Sequence, residues 1–230
     1  MKHKKLTMSI SVILILLQAI SLSAQSPKSD PNTGDRFWEK DGIMDGNLVR
    51  TIFFNHGEIA RYNTPFSGEW PKGSGHLYVD GVAAFVQVEC VDEVGDTIHP
   101  MEINYRENID YDENGYARGW WPVPGYCTFY QNSPAMSDDP DSWPNIWPDK
   151  PTDWAGYWNG YFGKGVKNAD LETYYVMDDD YDTEWNFYPD STDTTRRGIG
   201  MEVAVRGFQW SHVLSEDCIF WHFEITNEGT

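Results

Sequence analysis

Two acidic strings in this sequence have residue types and spacings suited to holding a cation. In DYDENGYARG (110–119), Asp110, Asp112 and Asn114 recur at every second position ahead of Gly115. That matches the opening half of a calcium loop, with a carbonyl near Tyr116 as a further oxygen. In YYVMDDDYDTEW (174–185), Asp178, Asp180, Asp182 and Glu184 alternate, so an extended chain would carry them on one face. Four carboxylates side by side repel unless water or a cation intervenes, and calcium takes six to eight oxygens.

Each string has a plainer alternative. The first cannot be an EF-hand. Its twelfth position is Trp121 instead of the closing Glu, and Pro122 and Pro124 forbid the exiting helix. Asn114-Gly115 is instead a strong hairpin-tip signal. The second string could be a solvated loop, although Tyr181 and Trp185 suggest partial packing. Calcium at Asp110, Asp112, Asn114, Asp178, Asp180 and Asp182 therefore stands beside two plain polar structures.

A third cluster combines rings and acids. Trp143, Trp147, Trp154 and Trp158, with Asp141, Asp149, Asp153 and Asn159 among them, would suit glycan contact: flat rings stack on sugar faces while oxygens accept hydroxyl protons. The weightier alternative is a satellite hydrophobic cluster under a long loop. A glycosidase needs two carboxylates about 5–10 Å apart, and among so many acids the sequence selects no pair.

Other motifs fail. PKGSGH (71–76) lacks phosphate-loop spacing, GIG (198–200) lacks the third glycine of a dinucleotide site, and there is no G-x-S-x-G. Cys90, Cys127 and Cys218 form no C-x-x-C pair and the histidines no H-E-x-x-H, which argues against zinc. Three cysteines allow at most one internal bridge, and small buried hydrophobes are the simpler role. No catalytic constellation emerges.

The elements that must position these residues are strands. TIFF (51–54), GHLYVDG (75–81) and VAAFVQVECV (82–91) are β-branched or aromatic runs punctuated by glycine. Val82, Ala84, Val86 and Val88 make one apolar face of the last. Asp92–Asp96 is a turn, and TIHPMEINYREN returns as a strand. ETYYVMDD (172–179), GIGMEVAVRGFQW (198–210) and SEDCIFWHFEITNEGT (215–230) complete the set. Residues 120–165 hold seven prolines and six tryptophans, which excludes long helices and predicts an ordered excursion lying over a sheet. The class is mainly β, most simply a β-sandwich of immunoglobulin or jelly-roll kind.

Composition sets outer bounds. The formal charge is −19, with no compensating basic patch, so a nucleic-acid partner is excluded. With 11 Trp, 13 Tyr and 11 Phe, the chain has too much core material to be disordered. At the start, Lys2, Lys4 and Lys5 precede an apolar run from Ile10 to Leu17 and a small-residue site ending at Ala24. This is signal-peptide anatomy, predicting a secreted or cell-surface protein with no membrane span after leader removal. The expected organisation is a signal peptide (1–24), a flexible leader (25–46) and a β-domain (47–230) with its insertion at 120–165. Because FEITNEGT runs a strand into a turn with nothing after Thr230, the domain is expected to be incomplete at that end.

NHG (55–57), SGEWPKGSGHLY (67–78), WPDKP (147–151), GYWNGYFGKG (156–165), YYVMDD (174–179) and the final FQWSHVLSEDCIFWHFEITNEGT together give a resemblance over roughly residues 45–230. The chain resembles the N-terminal region of large exported proteins of Bacteroidota- and Ignavibacteria-like bacteria. The resemblance implies type 9 secretion cargo with further fibronectin type III-like modules, and it brings no activity and no catalytic residue. The expectation is a non-catalytic surface, adhesion or scaffolding module, calcium-stabilised through the acidic strings, with a surface glycan or another extracellular protein as partner. The alternative is an extracellular carbohydrate-active enzyme or its carbohydrate-binding accessory domain.

Overall fold

The structure, a computed structural model, describes residues 32–105, 111, 113, 115 and 118–230. The expected signal peptide (1–24) and the residues Asp110, Asp112, Asn114 and Tyr116 lie outside the described residues.

The described chain is mainly strand. β1 (Asp41–Met44), β2 (Thr51–Phe54), β3 (Glu58–Ile59) and β4 (Val82–Ala83) form one antiparallel sheet in that order. β5 (Phe85–Gln87), β6 (Cys90–Val91), β7 (Thr97–Ile98) and β8 (Met101–Ile103) form two short ribbons, β5 with β8 and β6 with β7. β9 (Trp121–Pro122) and β10 (Ala135–Met136) both border β13 (Leu171–Asp178), which continues through β14 (Met201–Gln209) to β15 (Phe220–Asn227). β11 (Asn159–Gly160) and β12 (Gly163–Lys164) pair within the Trp/Pro excursion.

Strand β13 organises the molecule because all eight of its residues are buried. Its period of two sends alternate side chains to two different layers. Leu171, Tyr175 and Met177, with Val203 and Val205 of β14, meet Met44, Phe53 and Ile59 from the first sheet. Phe53 stacks on Tyr175 at 6.1 Å and reaches Trp221 of β15 at 5.4 Å. On the opposite face Tyr174, Val176 and Ala204 meet Val123, Tyr126, Trp147 and Trp158 of the excursion. The excursion therefore serves as the sheet's second cover. Three of its indole N–H groups are satisfied within the fold: Trp143 donates to the Met136 carbonyl, Trp147 to the Tyr157 carbonyl and Trp158 to Glu172 Oε2.

Three expectations are corrected. The leader expected to be flexible through residue 46 supplies β1, whose Met44 is fully buried in the core. Its Gly42-Ile43-Met44 run finds partners in Phe53, Ile52 and Thr51. The single strand expected over 82–91 is three short pieces pairing with three different partners, and Val82 and Phe85 are exposed. Residues 75–81 hold one isolated bridge, Glu69 to Leu77, where a strand was expected. Apolar alternation alone does not keep a strand straight when no single neighbour runs beside it.

Candidate functional site

Two groups of carboxylates flank the β13–β14 pair, and their surroundings differ. The first begins where β13 ends. The Asp182 amide donates to the Asp179 carbonyl at 2.8 Å, so the chain turns at once and does not stay extended. The expected shared face of Asp178, Asp180 and Asp182 is therefore corrected: each points to a different partner. Asp178 accepts from the amides of Gly34 (2.7 Å) and Asp180 (3.2 Å). Asp179 accepts from the amides of Ile199 and Met201. Asp180 takes the Arg196 guanidinium at 2.9 Å, and Arg196 also holds Glu228 at 2.6 Å. Asp182 accepts from Gly119 (2.8 Å) and Glu184 (2.7 Å).

None of these aspartates forms a solvated loop. Asp178, Asp179 and Asp182 are 2%, 0% and 2% exposed. Two glycines make the close approach possible. At Gly198 (φ +66°) a Cβ would stand 2.3 Å from Asp179 Oδ2, and at Gly119 (φ +111°) it would stand 1.8 Å from Asn104 Oδ1. Burial raises Asp179 to about 7, beyond what its two amide donors offset. Burial first, then the charges of Asp182 and Asp179, push Glu102 well above the usual carboxylate range.

Next to this layer, Asn104 ties three segments together. It donates to the carbonyls of His56 (2.7 Å) and Trp120 (2.6 Å) and accepts from the Trp120 amide. Burial, then the Arg61 charge, hold His56 down to about 3, so it stays neutral. Among the described residues no three His, Cys, Asp or Glu side chains converge as a metal site. The layer ties backbone to backbone.

The second group lines a cleft of about 300 Å³ on the excursion side of β14 and β15. Glu202, Ala204 and Arg206 project from β14, while Glu224 and Thr226 project from β15 opposite Ala204 and Glu202. Tyr126, Asp149, Tyr161 and Tyr174 complete the walls. Arg206 is buried. It lies 3.8 Å over the Tyr174 ring and donates to the Asn159 carbonyl at 2.6 Å and to Asn159 Oδ1. Asp149 accepts from Asn159 (3.0 Å) and from the Tyr174 hydroxyl (3.2 Å), and it pairs with Lys150 at 2.9 Å. Glu202 and Glu224 differ from these neighbours: among the described residues neither side chain makes a hydrogen bond or ion pair. Burial, then the charges of Glu228 and Asp149, raise Glu202.

The tryptophans expected to face a sugar are placed otherwise. Trp147 and Trp158 are each 1% exposed, so their rings present no face to solvent, and that part of the expectation is corrected. Trp143 and Trp154 pack, partly buried, against the same cluster. Asp153 pairs with Lys164, and Asp141 lies in the turn Pro140–Ser142. Asp149 and Asn159 do reach the cleft, through Tyr174 and Arg206. Glu202, Arg206, Glu224 and Tyr126 were not singled out from sequence. The legible signal for three of them was the polar face of β14 and β15, opposite Met201-Val203-Val205 and Trp221-Phe223-Ile225.

Cys127 is buried, Cys90 is partly buried and Cys218 is exposed, and all three thiols are free. No described helix is long and apolar enough to cross a membrane. No protein-family model, no curated protein and no solved structure matches the chain.

Proposed function

We propose that the chain is an exported, non-catalytic β-module that works by surface contact, in adhesion or scaffolding, outside the cell. The observation that carries this reading is the use of the acidic layer. Asp178, Asp179 and Asp182 each hold two backbone amides, and Asp180 holds Arg196, so the densest carboxylate cluster is internal structure. The facing of two sheets across one core supports a sandwich-like architecture. The three-part leader, residues 1–24, supports export, and the resemblance to type 9 secretion cargo agrees with it. Calcium enters this reading through Asp110, Asp112 and Asn114. Melting in millimolar calcium and in chelator tests it, with Asp112→Asn expected to abolish any difference.

The reading is tested by immobilising the chain and passing insoluble polysaccharides and extracellular matrix proteins over it, then assaying the eluate for new reducing ends and new peptide termini. Retention without product is expected. Product accumulating with time would overturn the reading. A second reading, a carbohydrate-active domain, is favoured by one observation: Glu202 and Glu224 are diagonal neighbours on adjacent strands of one cleft, positions that in sheets generally stand about 7–8 Å apart, and a glycosidase needs two carboxylates about 5–10 Å apart. The reducing-end assay decides between the two.

A further inference from the structure

We propose that the cleft over β14 and β15 binds a neutral saccharide unit, held by Glu202, Glu224 and the Tyr126 hydroxyl. The inference rests on the reading of the chain as a contact module and names what that module contacts. Three features of the cleft carry it.

The first is polarity that the protein leaves to the cleft. Tyr126 is 8% exposed, with its ring edge-on to Tyr174 at 5.6 Å, and its hydroxyl makes no hydrogen bond among the described residues. The hydroxyl oxygen is not one of the enclosed polar atoms left without a partner, so it opens to the cleft, where a ligand hydroxyl can take the place of water. Glu202, Glu224, Tyr161 and Thr226 line the same cleft, and their side chains likewise form no hydrogen bond among the described residues.

The second feature is charge. Asp149 pairs with Lys150, the buried Arg206 keeps its charge beside Glu224, and Arg196 acts on Glu202. Cations thus offset most of the cleft's carboxylate charge, and neither an anionic nor a cationic ligand is strongly selected.

The third feature is the mixture of groups. Carboxylates accept from hydroxyls, phenol and threonine hydroxyls can donate or accept, and tyrosine rings with the small Ala204 offer apolar surface. A sugar ring presents the complementary alternation of hydroxyl edges and C–H faces. The volume falls at the small end for ligand clefts, which suits one or two sugar residues of a longer chain.

The test is isothermal titration of the whole chain with linear neutral tetrasaccharides of glucose, xylose, mannose and galactose. Tetragalacturonate serves as the anionic arm and spermidine as the cationic arm. At least one neutral tetrasaccharide should bind, and tetragalacturonate and spermidine should not. Glu202→Gln and Tyr126→Phe should each weaken binding about tenfold without moving the unfolding midpoint. The proposal is overturned if no neutral tetrasaccharide binds at millimolar concentration, if both variants bind as tightly as the parent, or if spermidine displaces the sugar. Reducing ends released from a bound sugar would leave the cleft assignment standing and overturn the non-catalytic reading instead. Retention of a matrix protein with no sugar binding would do the reverse.

Discussion

The carboxylates at the end of β13 and those in the cleft border the same sheet, yet they have opposite surroundings. Asp179 is fully buried and accepts from two backbone amides. Glu202 is half-buried, faces a cleft and has no hydrogen-bond partner among the described residues. Burial raises both toward the protonated form. The difference lies in what each oxygen holds. A carboxylate engaged by backbone amides fixes chain segments that are distant in sequence, and its removal leaves buried donors unpaired. A carboxylate engaged by nothing in the protein adds little to folding and stays free for a ligand. In this molecule the number of partners at each oxygen says more about the role of an acid than the density of acids along the chain does.

The largest expected effect lies in the layer supporting the cleft. Trp158→Ala should cost about 3–5 kcal/mol in denaturant unfolding, as expected for a buried tryptophan, because its ring packs on Trp147 and its N–H reaches Glu172. A loss below 1 kcal/mol would mean that the excursion does not cover the sheet.

Gly198→Ala strikes the engaged group from behind. Its positive φ and the contact with Asp179 should together cost about 2–3 kcal/mol. A neutral outcome would show that the Asp179 turn is looser than its contacts imply.

The pH profile separates the groups next. The folded chain holds a proton on Asp179 up to about pH 7, whereas the unfolded chain releases it near the ordinary 3.8. The folded state therefore binds the extra proton between those values, and stability from this group is lost as pH rises through 7. His56 works the other way. It stays neutral in the fold down to about 3 but gains a proton near 6.5 when unfolded, so its contribution is lost as pH falls below 6.5. Together these two groups should raise stability by about 0.5 kcal/mol between pH 8 and 6.5, after which their opposing slopes cancel. In His56→Gln the rise should continue toward pH 5. A steady fall on acidification from pH 8 would contradict the buried, protonated state of the layer.

The smallest effect expected is on calcium dependence. Asp180→Asn should leave the melting response to calcium unchanged, because Arg196 already occupies that carboxylate. A calcium response lost in Asp180→Asn would return the second acidic string to cation binding.

Much of the sheet was legible in the sequence. Met201, Val203 and Val205 of β14, and Trp221 and Phe223 of β15, alternate against polar neighbours because one face meets the core. Six tryptophans among seven prolines likewise announced an ordered cover. The acidic layer was not legible. Whether Asp178 points to water or to an amide depends on Gly34, and for Asp182 it depends on Gly119. Neither partner is a sequence neighbour, and a glycine amide leaves no side-chain signature. The cleft was hidden for a related reason. Tyr126, Asp149, Tyr161, Glu202 and Glu224 come from separate segments, and only the register of β14 against β15 brings Glu224 beside Glu202. The run 82–91 misled because its alternation was read without knowing that its partner strands would change.

The most direct test of the comparison is equilibrium denaturation of Asp179→Ala and Glu202→Ala at neutral pH, each against the parent chain. The Asp179 variant strands two backbone amides and should lose about 2–4 kcal/mol. The Glu202 variant removes a half-buried acid without a partner and should stay within about 0.5 kcal/mol of the parent. Equal losses, or a larger loss for Glu202→Ala, would contradict the division of these carboxylates into structural and ligand-facing sets.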